Sequence, residues 1–143
     1  GKAGHGPFSP AHVGTALRAA LTAGRPLLLA ERGPVAGEGL LAVLSGVPAD
    51  VRALALARRL AAARGERLTI LLPAGEDEGR HSMAWAGEIV WRRSHHDTAT
   101  SLAAAAARAR PALVVLSLAG DAEDSRTLAR ILSALRQPLL FVP

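Results

Sequence analysis

The chain contains no cysteine and no tyrosine, and it has only two tryptophans and two phenylalanines. The absence of cysteine excludes disulfide bonds and thiolate chemistry, and such usage is typical of a reducing cytoplasm. Lysine is nearly absent as well: Lys2 is the only one, so arginine carries the net charge of +5. These arginines are interleaved with acidic residues and lack the stacking aromatics of single-strand binders. We therefore expect no nucleic-acid partner.

Long hydrophobic runs are also missing. No stretch approaches the roughly 20 apolar residues that a membrane span needs, and no signal peptide is visible. We therefore expect a cytoplasmic protein without direct membrane insertion. The sequence opens at Gly1 and not at a methionine, which predicts a processed or excised piece of something larger. The chain has 143 residues, 50% of them hydrophobic, which is enough for one domain with a core.

From residue 40 onward, buried apolar strands alternate with helices. The predicted strands cover 40–46, 67–73, 88–93, 112–118 and 138–142, and the predicted helices cover 48–65, 97–110 and 122–136. In the first of these helices, Asp50 is expected to serve the first turn and Gly65 to end it. This order predicts a doubly wound, mostly parallel α/β sheet sandwich. Ligands of such sheets bind beyond the carboxyl ends of the strands, which directs attention to 45–48 and 118–124.

The stretch VVLSLAGDAEDSRTLAR, residues 114–130, raises the question of a phosphate loop, because a strand runs into Gly120 just before a helix. That helix opens with Asp121, Glu123 and Asp124. Their carboxylates can cap the free N–H groups themselves. A phosphate ~5 Å from one of them would be repelled by roughly 3 kcal/mol at an effective dielectric of about 20. We interpret the stretch as a self-capped helix start.

The N-terminal part repeats the end of the chain. A helix over 10–23, closed by Gly24, leads to Pro26 and an apolar run at 27–30, and the same order recurs before and after Pro138. The simplest account is that 10–30 is the last helix and strand of a preceding repeat. Residues 31–39 can span roughly 30 Å when extended, so the strand can reach the free edge at 139–142. We predict a sixth strand at 27–30, antiparallel to 139–142.

Three groups of residues could carry chemistry of another kind. His81, His95, His96 and Asp97 are metal-ligand types, but their spacing matches no standard site, and a polar turn capped by Asp97 is favoured over a metal site.

Trp85 and Trp91 could form a ligand wall, and packing over the sheet, where a helix is missing between 74 and 87, is favoured. Ser82 has no nucleophile elbow and no carboxylate partner. We expect neither a bound metal ion nor catalytic activity.

Three segments resemble the universal stress protein (UspA-like) family. LLAVLSGVPADVRALALARRLAAARGERLTILLP, ARPALVVLSLAG and RQPLLFVP are similar to its opening β-α-β unit, the strand before its nucleotide loop and its closing strand. Nucleotide-binding members carry a Gly-x-x-Gly-x9-Gly-Ser/Thr signature. Its first glycine falls here on Ser117 and its second on Gly120, while the final pair falls on residues 130–131. The family's base-supporting Asp falls on Ser45, and Gly46 after it is retained.

The resemblance therefore implies a UspA-like stress-response or regulatory domain without the ATP-binding loop and without a cofactor. PLLLAERG followed by LLAVLSG is similar to the junction between paired domains in cation/proton antiporter tails. The implied setting is a tandem stress protein or such a tail, with a membrane transporter as fused or separate partner. The alternative is an adenine-nucleotide sensor that uses a degenerate loop. Its ligand would contact four residues: Ser45, Gly46, Ser117 and Gly120.

The same reasoning divides the chain into three parts. Residues 1–9 are expected to form a flexible N-terminus, 10–39 the remnant of a preceding repeat with its linker, and 40–143 the UspA-like domain. The apolar edge strand at 139–142 is expected to be covered. Either a homodimer or an intramolecular pseudo-dimer would cover it.

Overall fold

A computed structural model describes residues 10–29, 37–73, 75–76, 88–94, 98–117, 130, 133, 135 and 137–143. The described helices are α1 (Pro10–Ala23), α2 (Asp50–Arg64) and α3 (Thr98–Ala109). The described strands are β1 (Leu27–Leu29), β2 (Leu40–Val43), β3 (Leu68–Leu72), β4 (Ile89–Arg93), β5 (Leu113–Ser117) and β6 (Leu139–Val142).

The strands form one six-stranded sheet in the order β1-β6-β5-β2-β3-β4. The pairs β2–β3, β2–β5, β3–β4 and β5–β6 are parallel. Strand β2 lies at the centre, with Leu40 opposite Leu68 on one side and Leu113 on the other. The predicted α/β class with a mostly parallel sheet is thus confirmed.

Strand β1 confirms the prediction of an antiparallel edge strand. It pairs with β6 in the register Leu28 opposite Leu140. The strand is three residues long and includes neither Pro26, which cannot donate to the ladder, nor Ala30, which lies outside the described residues. The apolar strand β6 is therefore covered within the chain, and β1 becomes the outer strand on that side.

Each face of the sheet carries its own apolar cluster, because alternate side chains of a strand point to opposite faces. On the α3 face, Leu41, Leu71 and Phe141 pack with Leu102 of α3. On the α2 face, another cluster joins α2 to β2, β3 and β5; it includes Leu40, Ala42, Ala57, Leu68 and Ile70. Both faces of the central strands are therefore buried, which explains their continuous apolar sequence.

Two of the glycines with positive φ show why the turns between these elements require glycine. Gly65 ends α2 at φ 63°, where its N–H donates to the carbonyls of Ala61 and Ala62, as predicted. Gly39 precedes β2 at φ 85°, and a Cβ there would lie 2.8 Å from the carbonyl oxygen of Arg67. The end of the linker is therefore pressed against the backbone that leads into β3.

Part of the prediction falls outside the described residues. Of the helix predicted at 122–136, three residues are described: Arg130 and Ser133 are helical, and Leu135 is not. Gly120 and the three acidic residues after it are not described, so the interpretation of that stretch as a self-capped helix start stays a prediction. Among the described helices, none combines the length and the hydropathy that crossing a membrane requires.

Candidate functional site

The candidate site lies where the sheet changes its winding direction. Strand β2 is followed along the chain by β3 on one side, whereas β5 lies on its other side. The carboxyl ends of β2 and β5 therefore frame the crevice in which this class of sheet usually binds ligands. Ser45 and Gly46 follow β2, and Ser117 ends β5.

Asp50 occupies this crevice with its own carboxylate, although it is the first residue of α2. The residue is 4% exposed. Its Oδ1 accepts a hydrogen bond from the Ser45 N–H at 3.0 Å, and its Oδ2 accepts one from the Gly46 N–H at 2.9 Å. The hydroxyl of Ser117 lies 2.5 Å from Oδ1 and donates to it. Asp50 was expected to serve the first turn of α2, and here the carboxylate serves the turn before the helix.

The reason for this difference is geometric. The cap residue of α2 is Ala49, which makes no side-chain hydrogen bond to the helix. The Asp50 N–H donates to the carbonyl of Val47 at 2.9 Å, which closes the turn. The side chain of Asp50 is thereby placed beside the N–H groups of the turn, and a carboxylate with several such donors is strongly stabilised.

Ser45 and Ser117 tie the two strand ends together around this carboxylate. The Ser45 N–H also lies 3.2 Å from Ser117 Oγ, and the Ser45 hydroxyl donates to the Ser117 carbonyl at 3.3 Å. Ser117 is buried. Three of the four candidate nucleotide residues, namely Ser45, Gly46 and Ser117, are thus brought together, while Gly120 lies outside the described residues.

A second carboxylate, that of Glu76, lies next to the same turn. A Cβ on Gly46 would lie 3.3 Å from Glu76 Oε2 and 3.8 Å from Pro73. The approach to Gly46 is therefore lined by an acidic side chain that follows β3. Sequence reasoning missed both Asp50 and Glu76 as site residues. One signal in the sequence could have identified them. Asp50 and Glu76 each follow a turn at the carboxyl end of a strand.

Two other groups named from the sequence are placed only in part. His81, His95, His96 and Asp97 lie outside the described residues, and the part of the chain that is described holds no cluster of potential metal ligands. Trp85 is not described either.

Trp91 is half-buried and packs against the cluster on the α2 face, opposite Ile70 of β3. Packing was the favoured interpretation for this side chain. It also borders a groove of about 480 Å³ beside α3.

The chemistry of the crevice follows from these contacts. The backbone N–H groups that could hold an anion already bind one, the Asp50 carboxylate. The site contains hydroxyls and carboxylates but no described histidine, cysteine or lysine. Its geometry is that of an internally satisfied junction between β2 and β5.

Comparison with known proteins gives a likeness in structure. No protein-family model matches the chain, and no curated protein matches it significantly. A universal stress protein from Archaeoglobus fulgidus DSM 4304 superposes with a TM-score of 0.65 at 12% identity. The match covers 83% of this chain and 50% of that one, so the chain spans about half the length of that protein.

Two further solved structures are matched over nearly the whole length of their own chains. A protein of the universal stress protein family from Burkholderia pseudomallei superposes with a TM-score of 0.51 at 23% identity. The match covers 77% of this chain and 99% of that protein. A universal stress protein from Archaeoglobus fulgidus has a TM-score of 0.52 at 11% identity, with 75% of this chain and 95% of its own covered. The chain therefore has the α/β fold of the universal stress proteins.

Proposed function

We propose that this chain is a universal stress protein-like module that does not bind adenine nucleotide and that acts in regulation or assembly. The observation that carries the proposal is the buried Asp50 carboxylate, which accepts hydrogen bonds from Ser45, Gly46 and Ser117. In this fold the crevice beyond β2 and β5 is the place for a ligand. Here the protein fills it with its own anion.

A phosphate would meet two obstacles at this place. At ~5 Å from Asp50, it would be repelled by roughly 3 kcal/mol at an effective dielectric of about 20. To reach the N–H groups of Ser45 and Gly46 it would also have to displace the carboxylate. A buried carboxylate that loses its donors costs about 1–3 kcal/mol or more for each unsatisfied group.

The position that would support the adenine base also differs from that of a nucleotide-binding site. The resemblance to the family assigns base support to an Asp at the position of Ser45. The Ser45 hydroxyl instead donates to the carbonyl of Ser117. Glu76 lies over Gly46 on the remaining side. Both changes favour a closed junction over a nucleotide pocket.

The setting that we propose is a tandem stress protein or the tail of a cation/proton antiporter. The match covers only half of one Archaeoglobus protein, so a single unit of this fold occupies part of a longer chain there. Together with the antiparallel pairing of β1 and β6 in this chain, this supports a division in which 10–39 belongs to a preceding repeat and 40–143 forms the main domain. An intramolecular pseudo-dimer at the β6 edge, through its pairing with β1, a cytoplasmic location and the lack of a catalytic role belong to the same proposal.

Equilibrium dialysis with labelled ATP and AMP tests the proposal. We expect no saturable binding in the micromolar range. We expect Asp50→Asn, which keeps the size and removes the charge, to gain weak binding. Glu66→Gln, which removes an equal charge at the other end of the sheet, serves as control and gains none.

Micromolar binding by the parent chain would overturn the proposal. It would support the nucleotide sensor that uses Ser45, Gly46, Ser117 and Gly120. An Asp50→Asn variant that is folded and gains no binding would show that the charge of Asp50 is not what excludes the ligand.

A further inference from the structure

A groove runs between helix α2 and the ends of β1 and β6. One stripe of α2 forms its wall, since Arg52, Ala55, Leu56 and Arg59 follow the i, i+3, i+4, i+7 spacing of a single helix face. The end of β6 and the residues before β1 complete the groove, whose volume is about 240 Å³. We call it the α2 groove.

The floor of the α2 groove continues into an uncovered apolar surface. Leu27 and Leu29 contact the cluster on the α3 face, so Leu28 between them points to the α2 face. Leu28 is 53% exposed, and its partner Leu140 is partly buried on the same face. Val51, one helical turn before Ala55 on the wall, is 74% exposed. Among the described residues, these two are the large hydrophobic side chains left exposed.

The charge around the groove has one sign. Arg59 is exposed and makes no hydrogen bond or ion pair with any other described residue. Arg52 Nε donates to the carbonyl of Pro143 at 2.8 Å, which holds its side chain at the mouth of the groove. No Asp or Glu is among the described residues that line the groove. An apolar floor beside a cationic wall is complementary to a partner that is apolar on one side and acidic beside it.

The shape and charge together select the occupant. Sheets of this class are covered by helices on both faces, and no described element covers Leu28. A second copy of the chain, packed about a two-fold axis at this groove, would bring two sets of these arginines into one interface, with no Asp or Glu in the described lining to pair with them. Nucleic acid would satisfy the arginines but not the aliphatic floor, which offers no aromatic side chain for stacking.

We infer that the α2 groove is the docking site for an amphipathic helix with an apolar stripe and acidic flanks, supplied by a partner protein. Its apolar stripe would cover Leu28 and Leu56, and its carboxylates would pair with Arg52 and Arg59. The inference rests on the proposed function, because it names the surface and the class of partner through which an assembly module would act.

The test uses the full chain and a designed, fluorescently labelled peptide of about five helical turns, or about 18 residues. Leucine occupies one face of the peptide and glutamate its flanks. We expect saturable binding, measured by anisotropy at physiological salt. Arg59→Glu should weaken it by at least about tenfold, and Leu28→Ser by about threefold to tenfold, as for residues in the centre of an interface.

Two controls decide whether the binding is specific. Arg108→Glu makes the same charge change at an exposed position on α3, and it should alter the affinity by less than about twofold, as expected of a surface charge outside the interface. A peptide of identical composition with its leucines scattered should not bind. Absence of saturable binding by the parent chain, equal losses in Arg59→Glu and Arg108→Glu, or displacement of the peptide by duplex DNA would overturn the inference.

Failure here and failure of the proposed function are separable. If the parent chain binds ATP in dialysis but still binds the peptide through Arg59, the inference about the groove stands and the proposed loss of nucleotide binding is wrong. If neither ATP nor the peptide binds, the groove is not the docking site, and the closed junction at Asp50 is unaffected.

Discussion

At the carboxyl end of the sheet a single carboxylate is buried and fully hydrogen-bonded, whereas at the amino end several charged side chains are partly or mostly exposed to solvent. Asp50 is 4% exposed and accepts three hydrogen bonds. The side chains of the pair Arg67–Glu88 are 57% and 61% exposed, and those of Arg64–Glu66 are 44% and 23% exposed. The amino end also holds a cavity of about 790 Å³, bordered by three of these residues: Glu66, Arg67 and Glu88.

The two ends differ in what their charges contribute: the buried charge stabilises the fold, whereas the exposed charges lie on the surface and contribute little. A buried charge must be matched by donors, and breaking such an arrangement is costly. An exposed pair is screened by water and contributes little. Among the described residues, the end of the sheet that usually binds ligands in this class of fold therefore carries a buried, fully hydrogen-bonded polar group, and the cavity of about 790 Å³ lies at the opposite end.

The largest effect is expected at Asp50. Asp50→Ala leaves the Gly46 N–H without its acceptor. It also removes the shorter hydrogen bonds of the Ser45 N–H and the Ser117 hydroxyl, which keep only contacts of 3.2 Å to Ser117 Oγ and 3.3 Å to the Val43 carbonyl. We expect a loss of about 3–5 kcal/mol in the free energy of unfolding, measured by urea denaturation. Because that loss could unfold the protein, Ser117→Ala gives a milder test, with about 1–2 kcal/mol expected from one lost hydrogen bond.

If Asp50→Ala were as stable as the parent, the contrast between the two ends of the sheet would disappear. A Ser117→Ala variant that loses nothing would show that the 2.5 Å hydrogen bond from the Ser117 hydroxyl to Asp50 adds no stability.

The next effect is expected in the backbone at the amino end. Gly39→Ala combines positive φ with a Cβ placed 2.8 Å from the Arg67 carbonyl, so we expect a loss of about 2–3 kcal/mol. Gly65→Ala is the matched control, because its φ is also positive but no atom lies within 4 Å of the new Cβ. For that variant we expect about 1 kcal/mol. Equal losses would show that the linker is not pressed against β3.

The smallest effect is expected from the exposed ion pair. A double-mutant cycle with Arg67→Ala and Glu88→Ala should give a coupling energy of at most about 1 kcal/mol, since both side chains are more than half exposed. Raising the salt concentration should reduce it further. A coupling energy as large as the loss in Asp50→Ala would erase the distinction between buried and exposed charge.

The elements of the sheet could be predicted because each carries its own local signal. Gly65 marks the end of α2, and the apolar run at 27–29 has an obvious free edge to join. The role of Asp50 could not be predicted in this way. Whether its carboxylate turns toward its own helix or back to the strand depends on Ser117, a partner 67 positions away. Ser45 and Ser117 were named as contacts only for the alternative of a nucleotide sensor, and the sequence did not show that they contact each other.

The N–H groups of Ser45 and Gly46 donate to the Asp50 carboxylate, and the proposed function requires that a nucleotide cannot bind them. Amide NMR spectra of the parent chain titrated with ATP report on these two groups individually. The account predicts that their signals do not move while ATP is raised through the micromolar range. Saturable shifts of the Ser45 and Gly46 amides would contradict it.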